Sequence, residues 1–154
     1  MKCKSILLFI CIGFCLLTVG CDKNANLSDL QIEQLPYHED VEPICERFDY
    51  LYSVEKVYWK SEQIGDGVIG PSSYWLKGFI CITEEEKDEI ISAFAFEEDS
   101  PEFPEGISPE ITGYKDFTWK TSSDFSRELL KGNFVGEVYL DALNGVIYLD
   151  VEKA

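Results

Sequence analysis

The sequence predicts an α+β domain, an antiparallel sheet of four or five strands with one or two helices packed on one face. Three observations carry that expectation. Strand-like runs recur, alternating at Val54–Glu62, rich in aromatic and β-branched residues at Ser73–Ile82, and alternating again in the tail hairpin of Phe134–Leu140 and Val146–Val151. A helix start is written between the second and third of these runs. The length of 154 residues suits one compact domain.

Each element has a local reason. Along Val54–Glu62, Val57 and Trp59 fall on one face and Lys56, Tyr58 and Lys60 on the other. Gly65-Asp66-Gly67 and Gly70-Pro71-Ser72-Ser73 then punctuate a long connection to Ser73–Ile82, which makes the pair an antiparallel hairpin. Thr83-Glu84-Glu85-Glu86 is a capping box: Thr83 accepts from the third helical amide and Glu86 reaches back to the cap amide. Ile90, Ile91 and Phe94 make one stripe, so a helix is expected over about 84–95. Pro101, Pro104, Gly106 and Pro109 mark residues 97–112 as loop. A short strand is expected within Tyr114–Lys120, then a second helix capped by Ser122 or Ser123 and stopped by Gly132. The tail is a hairpin, Phe134–Leu140 and Val146–Val151 around Asn144-Gly145. Its Phe134, Val138, Leu140, Ile147, Leu149 and Val151 share a face that can meet the helices.

The first twenty residues are of another kind. Lys2 and Lys4 precede an apolar run from Ile6 to Leu17, shorter than the ~20 residues that span a bilayer. The run ends in Leu17-Thr18-Val19-Gly20-Cys21 and turns polar at Asp22-Lys23-Asn24. This junction resembles the lipobox of bacterial lipoproteins, although Thr18 stands where Leu is usual. The resemblance covers about 22 residues. It implies cleavage before Cys21, diacylation of that cysteine on sulfur, and a stable membrane anchor on the extracytoplasmic face. Asp22 after the cysteine fits retention at the cytoplasmic membrane. An uncleaved N-terminal anchor is the alternative. On this reading residues 1–20 are signal, 21–42 are the lipidated cysteine and an acidic tether holding His38, and 43–154 are the globular domain.

Composition narrows the functional classes. The chain has 13 Lys+Arg against 29 Asp+Glu, a formal charge of -16. Losing residues 1–20 removes Lys2 and Lys4 and no acid, which takes it to -18. Such a surface excludes nucleic acid as an expected partner and is repelled by anionic headgroups. One histidine, and cysteines reduced to Cys45 and Cys81 once the signal is removed and Cys21 acylated, make a zinc site an unpromising reading, and no cofactor motif is found. Cys45 and Cys81 are either a disulfide pair, as an oxidising compartment permits, or separate buried thiols.

Two features stand out as candidate sites. Glu84–Glu110 holds eleven carboxylates against Lys87, a formal charge of -10. The acids at the helix start are favoured by its dipole. The loop acids Glu97, Glu98, Asp99, Glu102 and Glu105 have no such reward and are the candidates for binding a basic protein or peptide. A merely solvated loop and a calcium site around Glu97-Glu98-Asp99 are the competing readings, the latter without EF-hand spacing. The second feature is Trp59, Trp75 and Trp119 with Tyr58 and Tyr74, which either shield the sheet or form an exposed platform. The functional expectation is a non-catalytic binding or inhibitory, immunity-type module. A carboxylate-dependent envelope hydrolase and an accessory subunit of a membrane complex are its rivals.

Overall fold

A computed structural model describes residues 32–64 and 73–153. The signal segment, Cys21 and the glycine-rich connection at 65–72 lie outside the described residues. Six strands form one sheet: β1 (Val54–Ile64), β2 (Ser73–Ile82), β3 (Glu97–Glu98), β4 (Trp119–Thr121), β5 (Phe134–Asp141) and β6 (Val146–Lys153). Their order across the sheet is β1-β2-β6-β5-β4-β3, with every neighbouring pair antiparallel. The class is α+β, and the strand count is six rather than four or five. The strand that was not expected is β3, two residues long inside the segment read as loop and too short to print an alternating pattern; the short strand expected within Tyr114–Lys120 forms as β4, at Trp119–Thr121.

Three α-helices lie on one face: α1 (Glu42–Arg47), α2 (Glu84–Ala93) and α3 (Ser123–Leu130). Ile44, Phe48, Ile90, Phe125 and Leu129 pack there against Val57, Leu76, Ile80, Val138, Leu140, Ile147, Leu149 and Val151. The six tail residues expected to share a face do so. Both predicted helices form close to their expected bounds. Thr83 Oγ1 accepts from Glu86 N at 3.3 Å, and Ser122 Oγ accepts from Phe125 N at 3.4 Å. The second helix ends on Lys131 in the left-handed region, with Gly132 after it.

The capping box is only half made. Thr83 N–H donates to Ser53 O, so the Glu86 carboxylate is free to turn away. It accepts instead from the amides of Tyr52 at 2.9 Å and Ser53 at 2.8 Å, and Glu86 is 0% exposed. The glutamate therefore fastens α2 to the entry of β1.

The opposite face is covered by irregular chain and by the short helical stretch at 32–34. Pro101 to Gly113 runs over it as an irregular strap, with a 3-10 turn at Pro109–Thr112, and sets Phe103 and Ile107 on Phe79, Tyr139 and Tyr148. Ile32 and Tyr37 join the same cluster. Tyr37 Oη donates to Gly106 O and accepts from Ser108 N. Gly106 sits at φ 80°, and a Cβ there would stand 2.4 Å from Glu33 Cα. Lys60 is 3% exposed, donates to Ile32 O at 2.9 Å and places its ammonium 4.6 Å from the Tyr37 ring centroid. The expected tether over 21–42 is thus packed on the sheet from Ile32 onward, because an apolar side chain every few residues finds a place on the second face. His38 is held as well: it forms a single antiparallel bridge to Trp59 and stacks on its ring at 4.6 Å.

Candidate functional site

The acidic loop acquires shape where it meets the short strands at the β3 edge. Glu97 and Glu98 pair with Thr121 and Lys120 of β4, and Asp99 N–H reaches Trp119 O at 3.4 Å. What holds β4 and the residues before it is Asp141, at the end of β5, 0% exposed. Its carboxylate accepts from Thr118 N at 2.6 Å, Leu143 N at 3.1 Å, Asn144 N at 3.2 Å and Asn144 Nδ2 at 2.6 Å. Asn144 Nδ2 also donates to Asp116 O at 2.7 Å, and Gly145 closes the turn at φ 67°. One buried carboxylate, fully hydrogen-bonded, therefore sets both the hairpin turn and segment 116–118.

That segment presents Phe117 and Trp119 with parallel rings, 5.4 Å apart and inclined by 8°. Phe103 of the strap supports Trp119 edge-on at 5.9 Å. Phe117, Thr118 and Trp119 line one wall of an open groove of about 330 Å³, and Glu98, Asp99 and Ser100 line the other. Ser100 N–H donates to Asp99 Oδ1 at 2.9 Å and fixes that carboxylate. Behind the groove, Tyr139 donates to Glu137 at 3.2 Å. Burial first, then the negative charge of Glu137 and, less strongly, Asp99 push its phenol up to about 12. The field at this edge is negative.

Of the five candidate acids, the groove brings together Glu98 and Asp99 and joins them to Trp119. Glu97 lies beside it on β3, at a second hollow shared with Thr121, Ser123 and Asp124. Glu102 and Glu105 stay exposed on the strap, between the Pro101, Phe103 and Ile107 side chains that turn inward. Among the described residues the ion pairs are Lys77–Asp150, Lys87–Glu84, Arg127–Asp124 and Lys131–Asp49, and none uses any of the five. No group of three or more acidic, histidine or cysteine side chains that could hold a metal ion forms among the described residues, Glu97-Glu98-Asp99 included.

The remaining aromatics divide between the two faces. Trp59 and Tyr74 pack on the helix side, Tyr58 and Trp75 on the strap side. Cys45 and Cys81 are both free thiols, so the disulfide considered for them is not made. The sheet is the reason: Cys81 belongs to the strap-side cluster, whereas Cys45 lies on α1 beside Ile44 of the helix-side core. Burial pushes the Cys81 thiol up to about 11.

Sequence reasoning missed Phe117 and Asp141. Asp141-Ala142-Leu143-Asn144-Gly145 carries a usable signal, an aspartate placed to accept from amides two and three residues on. Among the described residues no helix is long and apolar enough to cross a membrane. Compared with family models, curated proteins and solved structures, the chain finds no match.

Proposed function

We propose that this chain is a lipid-anchored, extracytoplasmic binding module of the non-catalytic, immunity type, and that it takes a basic segment of a protein or peptide at the β3 edge. The observation that carries the reading is the groove itself. Carboxylates on one wall and stacked aromatic rings on the other make the composition that suits a Lys or Arg side chain, by charge pairing and cation–π contact together. The anchor rests on the lipobox-like junction at Cys21 and would hold the groove outside the cytoplasm.

Unpaired acids at Glu97, Glu98, Asp99, Glu102 and Glu105 steer a cationic partner from a distance, and Trp119 with Phe117 retains it on contact. The two contributions separate experimentally. Replacing the five acids by Gln or Asn should lower the association rate of a Lys/Arg-rich peptide at least tenfold at low salt and flatten its salt dependence. Trp119→Ala should mainly speed dissociation. Unchanged rates and an unchanged salt slope in the five-fold variant would reduce the cluster to a solvated edge and end this reading.

A further inference from the structure

The opposite edge of the sheet is built differently. β3 is two charged residues long, a form that discourages pairing with another chain, whereas β1 is eleven residues long. Part of β1 is already occupied by the chain itself. His38 N–H donates to Trp59 O at 2.8 Å and Trp59 N–H to His38 O at 3.0 Å, so Trp59 turns its backbone groups outward. Alternation turns those of Ser61 and Gln63 the same way. Extending the His38–Trp59 pairing by two residues would bring Pro36 opposite Ser61, and proline has no N–H to give. Residues 32–34 are already helical, and among the described residues nothing bonds the outward groups of Ser61 and Gln63.

A groove of about 320 Å³ adjoins this open stretch, lined by Arg47, Trp59, Ser61, Gln63 and Tyr74, with Glu62 its one carboxylate. Arg47 donates from Nε to Tyr74 Oη at 3.1 Å and from Nη1 to Pro43 O at 2.6 Å, and its guanidinium carbon stands 5.9 Å from the Tyr74 ring centroid. The Lys153 ammonium approaches the same ring at 5.7 Å. Neither cation has a carboxylate partner among the described residues. In a chain where acids outnumber bases 29 to 13, two unpaired cations converging on one tyrosine beside a free edge are a specific arrangement.

We propose that the open half of β1, at Ser61–Ile64, accepts an extended acidic segment of a partner protein as an added antiparallel strand. Its main chain bonds Ser61 and Gln63, and a carboxylate is received by Arg47 and Lys153 above Tyr74. A second copy pairing through the same stretch offers Ser61-Glu62-Gln63-Ile64, with a single carboxylate, and is disfavoured as the occupant. This site is independent of the groove at β3.

The test uses the full chain in detergent and two synthetic ten-residue peptides, alternating Thr with Glu or Thr with Lys. The Glu peptide should bind and slow amide exchange at Ser61 and Gln63, whereas the Lys peptide, which the β3 groove would take, should leave those two amides unchanged. Gln63→Pro removes an outward N–H without touching the β1–β2 ladder and should abolish binding. Arg47→Gln, a surface change that leaves the edge intact, should weaken it at least tenfold. Failure of the Glu peptide to bind, equal protection of the two amides by the Lys peptide, or binding of the Glu peptide without that protection would overturn the proposal. So would concentration-dependent protection of the same amides with no peptide present, which would make the occupant a second copy.

Discussion

Buried carboxylates of this protein act on backbone rather than on cations. Glu86 and Asp141 are both fully enclosed, and each accepts from main-chain amides belonging to another segment. The stability ranking around α2 follows. Thr83→Ala loses one cap bond and should cost about 1 kcal/mol. Glu86→Ala leaves the Tyr52 and Ser53 amides unpaired and should cost at least about 3 kcal/mol. A reciprocal capping box would reverse that order, so denaturation midpoints of the two variants decide between the arrangements. The cysteines give a second prediction at this scale. Unreduced protein, unfolded and alkylated, should carry label on both Cys45 and Cys81, and in the native state Cys45 should react first because burial keeps the Cys81 thiol protonated to about pH 11. A mass showing both thiols blocked would mean that the chain is bridged, against the placement of the two residues on opposite sides of the sheet.

Elements were legible where a local signal and the tertiary demand agreed. β2 spans Ser73–Ile82 as its aromatic and β-branched content indicates, and the β5–β6 hairpin carries its inward face in its own spacing. α1 left no periodic trace, for its six residues bury Ile44 alone within its bounds, with Phe48 just past the end. β3 was hidden in the segment read as loop, because it exists only by pairing with β4, whose approach Asp141 holds through Thr118 N, a nonlocal cause that no short window contains. The same limit hid half of the candidate groove: the acids and Trp119 were visible one by one, but their meeting depends on Asp141, 22 residues beyond Trp119 and more than 40 beyond Glu98 and Asp99. Segment 32–42 read as tether since its acids and Pro36 outweigh its few apolar side chains, yet Ile32 and Tyr37 are the ones the second face needs. The strap can be tested as a unit. Ile107→Ala, at a buried position, should cost about 3 kcal/mol. Gly106→Ala should loosen the strap and residues 32–37 together, since the new methyl meets the Glu33 backbone, and amide exchange at Ser108, which donates to Tyr37 Oη, and at Leu35, which donates to Ile32 O, should rise in parallel. Independent changes at the two amides would show that the segments do not hold one another.

Charge governs the molecule as a whole, beginning with its response to base. Burial and nearby carboxylates raise the phenols of Tyr139, to about 12, and of Tyr148, so in the fold both keep their protons when unfolded tyrosine at 10.0 has lost its own. The stabilisation is complete below pH 10 and is lost as the pH climbs toward 12, because there the native state binds more protons than the unfolded one. Lys60, lowered by desolvation, has the opposite sign and offsets a part of the loss below its ordinary 10.5. Stability should therefore fall from pH 10 to 12, and less steeply in Tyr139→Phe; an identical slope in that variant would assign the loss elsewhere. The same surplus of acid sets how the domain meets a membrane. At the formal charge of -18 that the chain carries without residues 1–20, anionic headgroups would repel it, so under the proposed anchoring attachment comes from acyl chains rather than from the protein surface. A lipid anchor and an electrostatic one respond differently to salt: 1 M NaCl shortens the Debye length to ~3 Å and strips ionic attachment while acyl chains stay buried. The intact protein should thus remain with membranes through a high-salt wash and carry the mass of a chain beginning at a diacylated Cys21. Cys21→Ala should be released or left with its signal uncut, and a variant of normal mature mass that still sediments with membranes would refute the anchor.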